Sequence, residues 1–413
     1  MDFIKETLQT PVKGKYDVII VGAGPAGCGA ARACGEKGLK TLILDRFNCL
    51  GGAWTVGFMN PLFDHANKNG FIKELKNALQ SKNKWGGFAN MSFHYEYMKV
   101  ILERTLQDLD VDILFNTTFS KAITEGNRVV GVVVENIEGR SAYLADFVMD
   151  CTGDGAVAAD AGCAFEIGEN GDYTECQAMT LMFLVGNIPE KWKDGGMIFE
   201  NLNRAYEKEG LDIPFTRPYL IPVPDTRFGV IQFTHMYNYN PLSAKDITKA
   251  NIEGRKQMME AFEAVKKHDA DLGALELIAS SITLGVRESR RIIGEYTVTT
   301  DDIIEGTHFE DAVCDATFNV DVHTKSNKGQ RYYDVKPYQI PLRALLPKGW
   351  DGIVVAGRCI SGSRDAMASY RVTGNCCQMA ENAGYILAYA KEKNIPIAHV
   401  QVSEVLEKGK HIL

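Results

Sequence analysis

No stretch of the 413-residue chain approaches the ~20 consecutive apolar residues that cross a bilayer, so no membrane contact is expected. Ten cysteines occur without one C-x-x-C pair, which removes the dithiol centre of the pyridine-nucleotide disulfide oxidoreductases. H-E-x-x-H and carboxylate clusters with metal spacing are missing, so no metal is expected. A G-x-S-x-G nucleophile elbow is missing too. No run of Lys or Arg exceeds two, and 53 acidic against 45 basic residues leave a formal charge of −8. A nucleic-acid partner calls for a basic face, so none is expected. The N-terminal "MDFIKETLQT" carries acids and no apolar core, unlike a secretory signal, so a cytoplasmic setting with reduced thiols is expected.

What is present has the profile of a soluble globular protein, with 45% apolar and 24% charged residues. The length favours two domains. Strands and helices alternate through the first ~165 residues, beginning with the strand-length runs "DVIIV" and "TLIL". From Phe165 to Leu345 the texture changes. β-rich pieces ("AMTLMFLVG", "FGVIQFTHM") alternate with prolines, and one helical stretch is expected from about Ser243 to Leu284. After Pro341 the first texture returns, with "GIVVAGR" as a strand entering a glycine turn and "NCCQMAENAGYILAYAKEK" as a helix with small residues on one face.

The segment "YDVIIVGAGPAGCGAARACGEKGLKTLILD" is a strand, a glycine turn, a small-residue helix and a second strand ending on an acid. Gly22 permits the tight turn, and Gly24 lets the backbone approach a pyrophosphate. Gly27, with Pro25 and Ala26 opening the helix, allows close packing on the strands. The helix start offers free N–H groups and a positive dipole end to phosphates. Asp45 follows Gly24 by 21 positions, where a carboxylate accepts from ribose hydroxyls, and it disfavours a 2′-phosphate despite Arg46. A dinucleotide is expected.

Three further segments separate FAD from NAD. "NCLGGAWTVG" brings Gly51, Gly52, Ala53 and Trp54 just past the acid. "DFVMDCTGDG" is a strand entering Thr152, Gly153 and Asp154, and "GIVVAGR" is a strand entering Gly357 and Arg358. With "GVRESRRIIGEY", "IPLRALLPKGW" and "YRVTGNC", these pieces, spread from residue 18 to 376, resemble the FAD-dependent oxidoreductases of the two-dinucleotide-binding-domain class. More narrowly, the chain looks like a bacterial branch distantly related to fumarate reductase flavoproteins. The resemblance implies FAD. It also implies cofactor contacts at Phe119 and at the helix opening Gly374, Asn375 and Cys376, whose N-terminus faces the flavin. Departures are Asp45 where many such proteins have Glu, and Gly357-Arg358 where Gly-Asp is common. The expected fold is α/β. A doubly wound, Rossmann-like FAD domain comes from residues 1–164 and 346–413, and a mixed β/α substrate domain is inserted at 165–345.

Residues for chemistry are fewer. Arg287, Arg290 and Arg291 read as neighbours within about one helical turn, facing an anionic small-molecule substrate, with Arg291 as the contact. The plainer reading is a basic face neutralised by Glu288 and Glu295. His235 and His323 lie in strand-like stretches of the second domain and are candidates for catalysis beside a structural role, as is Tyr338 as a proton donor. His94 is expected at a helix start behind a capping Ser92. Cys49 reads as a buried small hydrophobe or a flavin-linked thiol, and Cys376 and Cys377 as thiols whose pKa a helix start could lower. The activity expected is hydride or electron transfer between FAD and a small organic substrate. An electron-transfer subunit serving a partner protein and an RNA-modifying flavoprotein stand as alternatives, and a homo-oligomer is left open.

Overall fold

The computed structural model describes residues 4–325, 329–407, 409 and 411–412. The strand Val12–Val21 lies at the centre of a seven-stranded sheet, and its "VIIV" end is buried on both faces, as an unbroken apolar run in a parallel sheet requires. Thr41–Leu44 and then Asp112–Leu114 lie parallel on one side of it. Gly139–Asp150 lies parallel on the other side. This twelve-residue strand serves two partners: Val148, Met149 and Asp150 pair with Ile353–Val355, while its first half runs antiparallel to Arg128–Asn136, which pairs with Thr118–Glu125. The strand order therefore reverses beside Val12–Val21, and the crevice beyond the strand ends lies at that switch point.

Pro25–Glu36 starts on a proline at its first turn and carries almost only small residues. It packs on Thr373–Lys393 so closely that a Cβ on Gly29 would stand 2.4 Å from the Cys377 carbonyl oxygen, and one on Gly384 would stand 2.9 Å from Ala33 Cβ. The end of the chain thus closes onto its beginning.

Between them, Glu276–Ser280, Phe183–Gly186, Gly229–Gln232, Tyr219–Pro222 and Gly196–Met197 form, in that order, an antiparallel sheet. The helices Phe199–Lys208 and Ala244–His268 cover it, and Val185, Leu202, Tyr206, Leu220, Phe233 and Val265 belong to a separate apolar core there. The helix expected to reach Leu284 ends at His268. Asp269 turns extended, its carboxylate accepts from the N–H of Asp271 and Leu272, and "ELIAS" becomes an edge strand. Ala312–Ala316 pairs with Tyr338–Pro341, and Val320–Thr324 with Gly329–Tyr333. No helix among the described residues is long and apolar enough to cross a membrane, and all ten cysteines are free and buried.

Candidate active site

The three glycines of the first turn answer to three different neighbours. A Cβ on Gly22, at φ +97°, would stand 2.6 Å from the Cys151 carbonyl oxygen, and one on Gly27 would stand 1.9 Å from the Gly22 oxygen. One on Gly24 would meet nothing within 4 Å, so that side of the turn faces open space. Asp45 sits against the turn and accepts from the N–H of Ala23 at 2.6 Å and of Phe47 at 2.9 Å. Arg46 is exposed and lies over the Phe47 ring. Gly51 donates to the Ala23 carbonyl at 2.8 Å, and a Cβ on Gly52 would stand 2.9 Å from Gly24 Cα, so the second glycine pair docks on the first turn. Ala53 beside them is exposed, whereas Trp54 is fully enclosed with no partner for its Nε1–H. Phe119 is half-buried on the strand Thr118–Glu125 and packs on the main core.

On the other side, buried Asp150 accepts from the N–H of Thr152, Val157 and Ala158, which holds the loop at Thr152 and Gly153. Asp154 pairs with Arg358 and accepts from Ser289, so these two residues, both expected at the cofactor, engage each other. Gly357 has φ +103°, and its missing Cβ faces Ala26 at 3.5 Å and Cys376 Sγ at 3.9 Å. The first turn, the Gly357 turn and the start of Thr373–Lys393 are therefore adjacent in space. A Cβ on Gly374 would stand 2.5 Å from the Phe63 oxygen. Asn375 Nδ2 and Thr373 Oγ1 are buried there without partners. Open space at Gly24 and orphaned donors at Trp54, Thr373 and Asn375 fit a long polar cofactor such as FAD. The thiols differ from expectation: burial pushes Cys376 up to about 12 and raises Cys377 well above its usual value, and it raises Cys49 too. The helix start does not offset the loss of water around them.

The arginine motif is corrected. "VRES" lies in no helix and Arg290–Ile292 is a strand paired with Phe165–Ile167, so the three guanidinium groups do not share a helical face. Arg290 donates to the Asp154 carbonyl oxygen. Arg291 is engaged by Glu288 at 2.9 Å, by Glu166 at 3.4 Å and by the Gly168 oxygen, so its guanidinium is committed to groups of the protein itself rather than left open as the expected anion contact. Arg287 goes elsewhere. It donates to the Ala178 oxygen and Thr180 Oγ1, both at 2.7 Å, and joins the two histidines.

His235 Nε2 and His323 Nδ1 are 2.9 Å apart, and both rings are buried. Phe215 stacks on His235 with centroids 4.0 Å apart. His323 Nε2 is 3.1 Å from Asp321 Oδ2, and Arg371 donates to the Asp321 carbonyl oxygen at 2.8 Å. Burial, with Arg287, holds His235 well below its ordinary range and His323 down to about 4. Burial lowers Arg287 to about 10, helped by Arg371. Burial raises Asp321, but His323, Arg371 and Arg287 outweigh it and keep the carboxyl far below its usual value. Asp321 and Arg371 were missed by the sequence reading. Asp321 had a signal, because "VDVHT" puts it on the same strand face as His323. Tyr338 is enclosed, its hydroxyl 2.8 Å from Ser369 Oγ, and burial raises it well above 10. His94 is itself the residue preceding its helix, and Ser92 instead donates to the Gly86 oxygen.

This fold and this cradle define a flavoprotein built on a doubly wound sheet. The chain matches the FAD dependent oxidoreductase family over residues 17–408 and belongs to it. A thiamine thiazole synthase of Aeropyrum pernix is 32% identical over 156 residues, 35% of this chain and 56% of that enzyme. A dihydrolipoyl dehydrogenase of Vibrio cholerae is 53% identical over 38 residues, 9% of this chain and 8% of that one. The chain thus matches about half the length of the first relative and far less of the second. Among solved structures, the flavin-dependent brominase Bmp2 has a TM-score of 0.52 at 13% identity, over 94% of this chain and 81% of that one. A geranylgeranyl bacteriochlorophyll reductase-like protein from Thermoplasma acidophilum has 0.51 at 12%, over 92% and 80%. At these identities they share the fold alone.

Proposed function

We propose that the protein moves a hydride or electrons between FAD and a small organic substrate held between the sheet formed by residues 1–164 and 346–413 and the segment 165–345. The finer kinship with fumarate reductase flavoproteins and a cytoplasmic setting belong to the same proposal, the latter supported by ten free, buried thiols. FAD, when bound, supplies the redox chemistry, and the chain supplies binding, orientation and proton handling. Gly24, Gly52 and Gly357 would admit the cofactor's backbone-hugging parts, and the start of Thr373–Lys393 would stabilise negative charge on its flavin end.

One observation carries the reading. Arg287, His235, His323 and Asp321 come from the 165–345 segment, and they meet Arg371, which lies two residues before Thr373–Lys393 begins beside Gly357. A buried polar cluster next to the flavin end of the cradle is what a reacting substrate needs. The test is anaerobic mixing of FAD-loaded protein with a panel of small hydroxy acids, enoates, sugars and hydroxylated aromatics, with oxidised or reduced flavin, followed by flavin absorbance. At least one compound is expected to bleach or restore the flavin faster than buffer. No response from either redox form overturns the reading.

A further inference from the structure

The contacts of the two buried imidazoles demand more protons than two neutral rings carry. His235 Nδ1 lies 3.2 Å from the Phe233 carbonyl oxygen, which only accepts, so this nitrogen carries a hydrogen. His323 Nε2 faces the Asp321 carboxylate and carries another. Between the rings, His235 Nε2 or His323 Nδ1 donates to the other across 2.9 Å. Three ring protons are required, and two neutral imidazoles own two. The pair is complete only as a shared monocation.

Burial first, and then charge, work against that state. Arg287 and Arg371 face the pair, while Asp321 is shared between His323 and Arg371. The other charged and titratable groups nearby have roles of their own. Glu288 belongs to Arg291 and Arg364, Tyr237 donates to the Pro214 oxygen, and Tyr219 lies beyond Asp321. Counting the described residues, and with both rings neutral, Arg287, Arg371 and Asp321 leave one positive charge in excess. Arg287 makes no ion pair among the described residues, and both its hydrogen bonds leave from Nη1. Gln177 Nε2 and Arg371 Nε are buried without an acceptor, and the Gln177 amide is oriented because its Oε1 accepts from the His323 N–H.

We propose that the cluster binds a small carboxylate anion on Arg287 and that this binding loads one proton from solvent onto the His235–His323 pair. An anion there cancels the positive field that, beside burial, keeps the rings neutral, and the third ring hydrogen bond can then form. The pair becomes the proton store for whatever the site transforms. The inference rests on the oxidoreductase reading only in treating the bound anion as substrate.

The test titrates FAD-loaded protein with acetate and with its neutral isostere acetamide, by calorimetry in two buffers of different ionisation enthalpy. Acetate is expected to bind with uptake of close to one proton and acetamide not to bind. Because the bound form holds one more proton, the acetate Kd rises up to about tenfold per pH unit between about pH 6 and about pH 8. His235→Asn keeps a donor for the Phe233 oxygen but has no second ring nitrogen. It is expected to bind acetate with little proton uptake and a flat pH profile. Arg287→Met is expected to lose acetate binding. Should it not fold, the proton count of the unaltered protein and the His235→Asn profile decide. Equal binding of acetamide, an absent proton, or a pH-independent Kd overturns the inference. Turnover of neutral compounds without acetate-linked uptake overturns it and leaves the oxidoreductase reading intact. Acetate-linked uptake in a protein whose flavin exchanges electrons with no compound supports it and counts against that reading.

Discussion

Gly24 and Gly27 stand three positions apart and respond differently to a side chain. Gly24 faces open space, so Gly24→Val is expected to fold with the thermal midpoint of the cofactor-free protein while losing FAD. Gly27→Val would drive a carbon into the Gly22 oxygen and is expected to lose the folded state itself. Flavin absorbance per protein, read beside the melting curve of the cofactor-free form, separates the two. Normal FAD content in Gly24→Val would refute the placement of the pyrophosphate. Arg291 belongs to stability instead. Glu288 is wholly buried between Arg291 and Arg364, so Arg291→Ala leaves a buried carboxylate with only Arg364 and the Gln177 N–H to hold it. A loss of about 1.5–3 kcal/mol, that of a hydrogen bond to a charged group, is expected in denaturant unfolding. A change within about 0.5 kcal/mol, the range of ordinary surface substitutions, would mean the pair is not structural.

The helices Pro25–Glu36 and Thr373–Lys393 carry a pH-sensitive contact between Arg32 and Glu381. Glu381 is buried, accepts from the N–H of Phe71 and pairs with Arg32 at 3.2 Å. Burial, helped by Glu74 and Glu36, outweighs Arg32 and lifts it from its ordinary 4.5 to about 7. A carboxyl raised in the folded state contributes stability that is fully present below 4.5 and lost as pH rises towards 7, up to about 3 kcal/mol. Unfolding free energy measured against pH should fall across that window, and Glu381→Gln should flatten the slope. An unchanged slope in that variant would assign the effect to another group. These two helices were readable from their small residues, since Ala and Gly at one face permit close approach. The helix projected to Leu284 was not, and neither was the non-helical course of "GVRESRR". Pairing of Glu276–Ser280 with Phe183–Gly186, and of Arg290–Ile292 with Phe165–Ile167, overrode the local pattern.

Because the cradle joins residues 22–52 to residues 357–376, cofactor binding should stabilise the whole chain rather than one part. FAD at a hundredfold excess over Kd is expected to add about 2.7 kcal/mol and move a single melting transition upward. FMN, which cannot occupy the Gly22–Asp45 side, should do much less. Two separate transitions, with only one shifted by FAD, would contradict it. The amino-acid order was enough to expose the dinucleotide turn, the acid after the second strand and the α/β class, each written in residues close together, where spacing and periodicity are set by backbone geometry. FAD in particular followed from the family resemblance of several such short pieces spread along the chain. The proton-sharing cluster is another matter. His235 and His323 are 88 positions apart, Asp321 and Arg371 are 50, and Arg287 and Ala178 are 109. No local pattern encodes such meetings. They exist because the antiparallel sheet, the Val320–Thr324 strand and the last helix pack together, and burial then sets the charge that each group can hold.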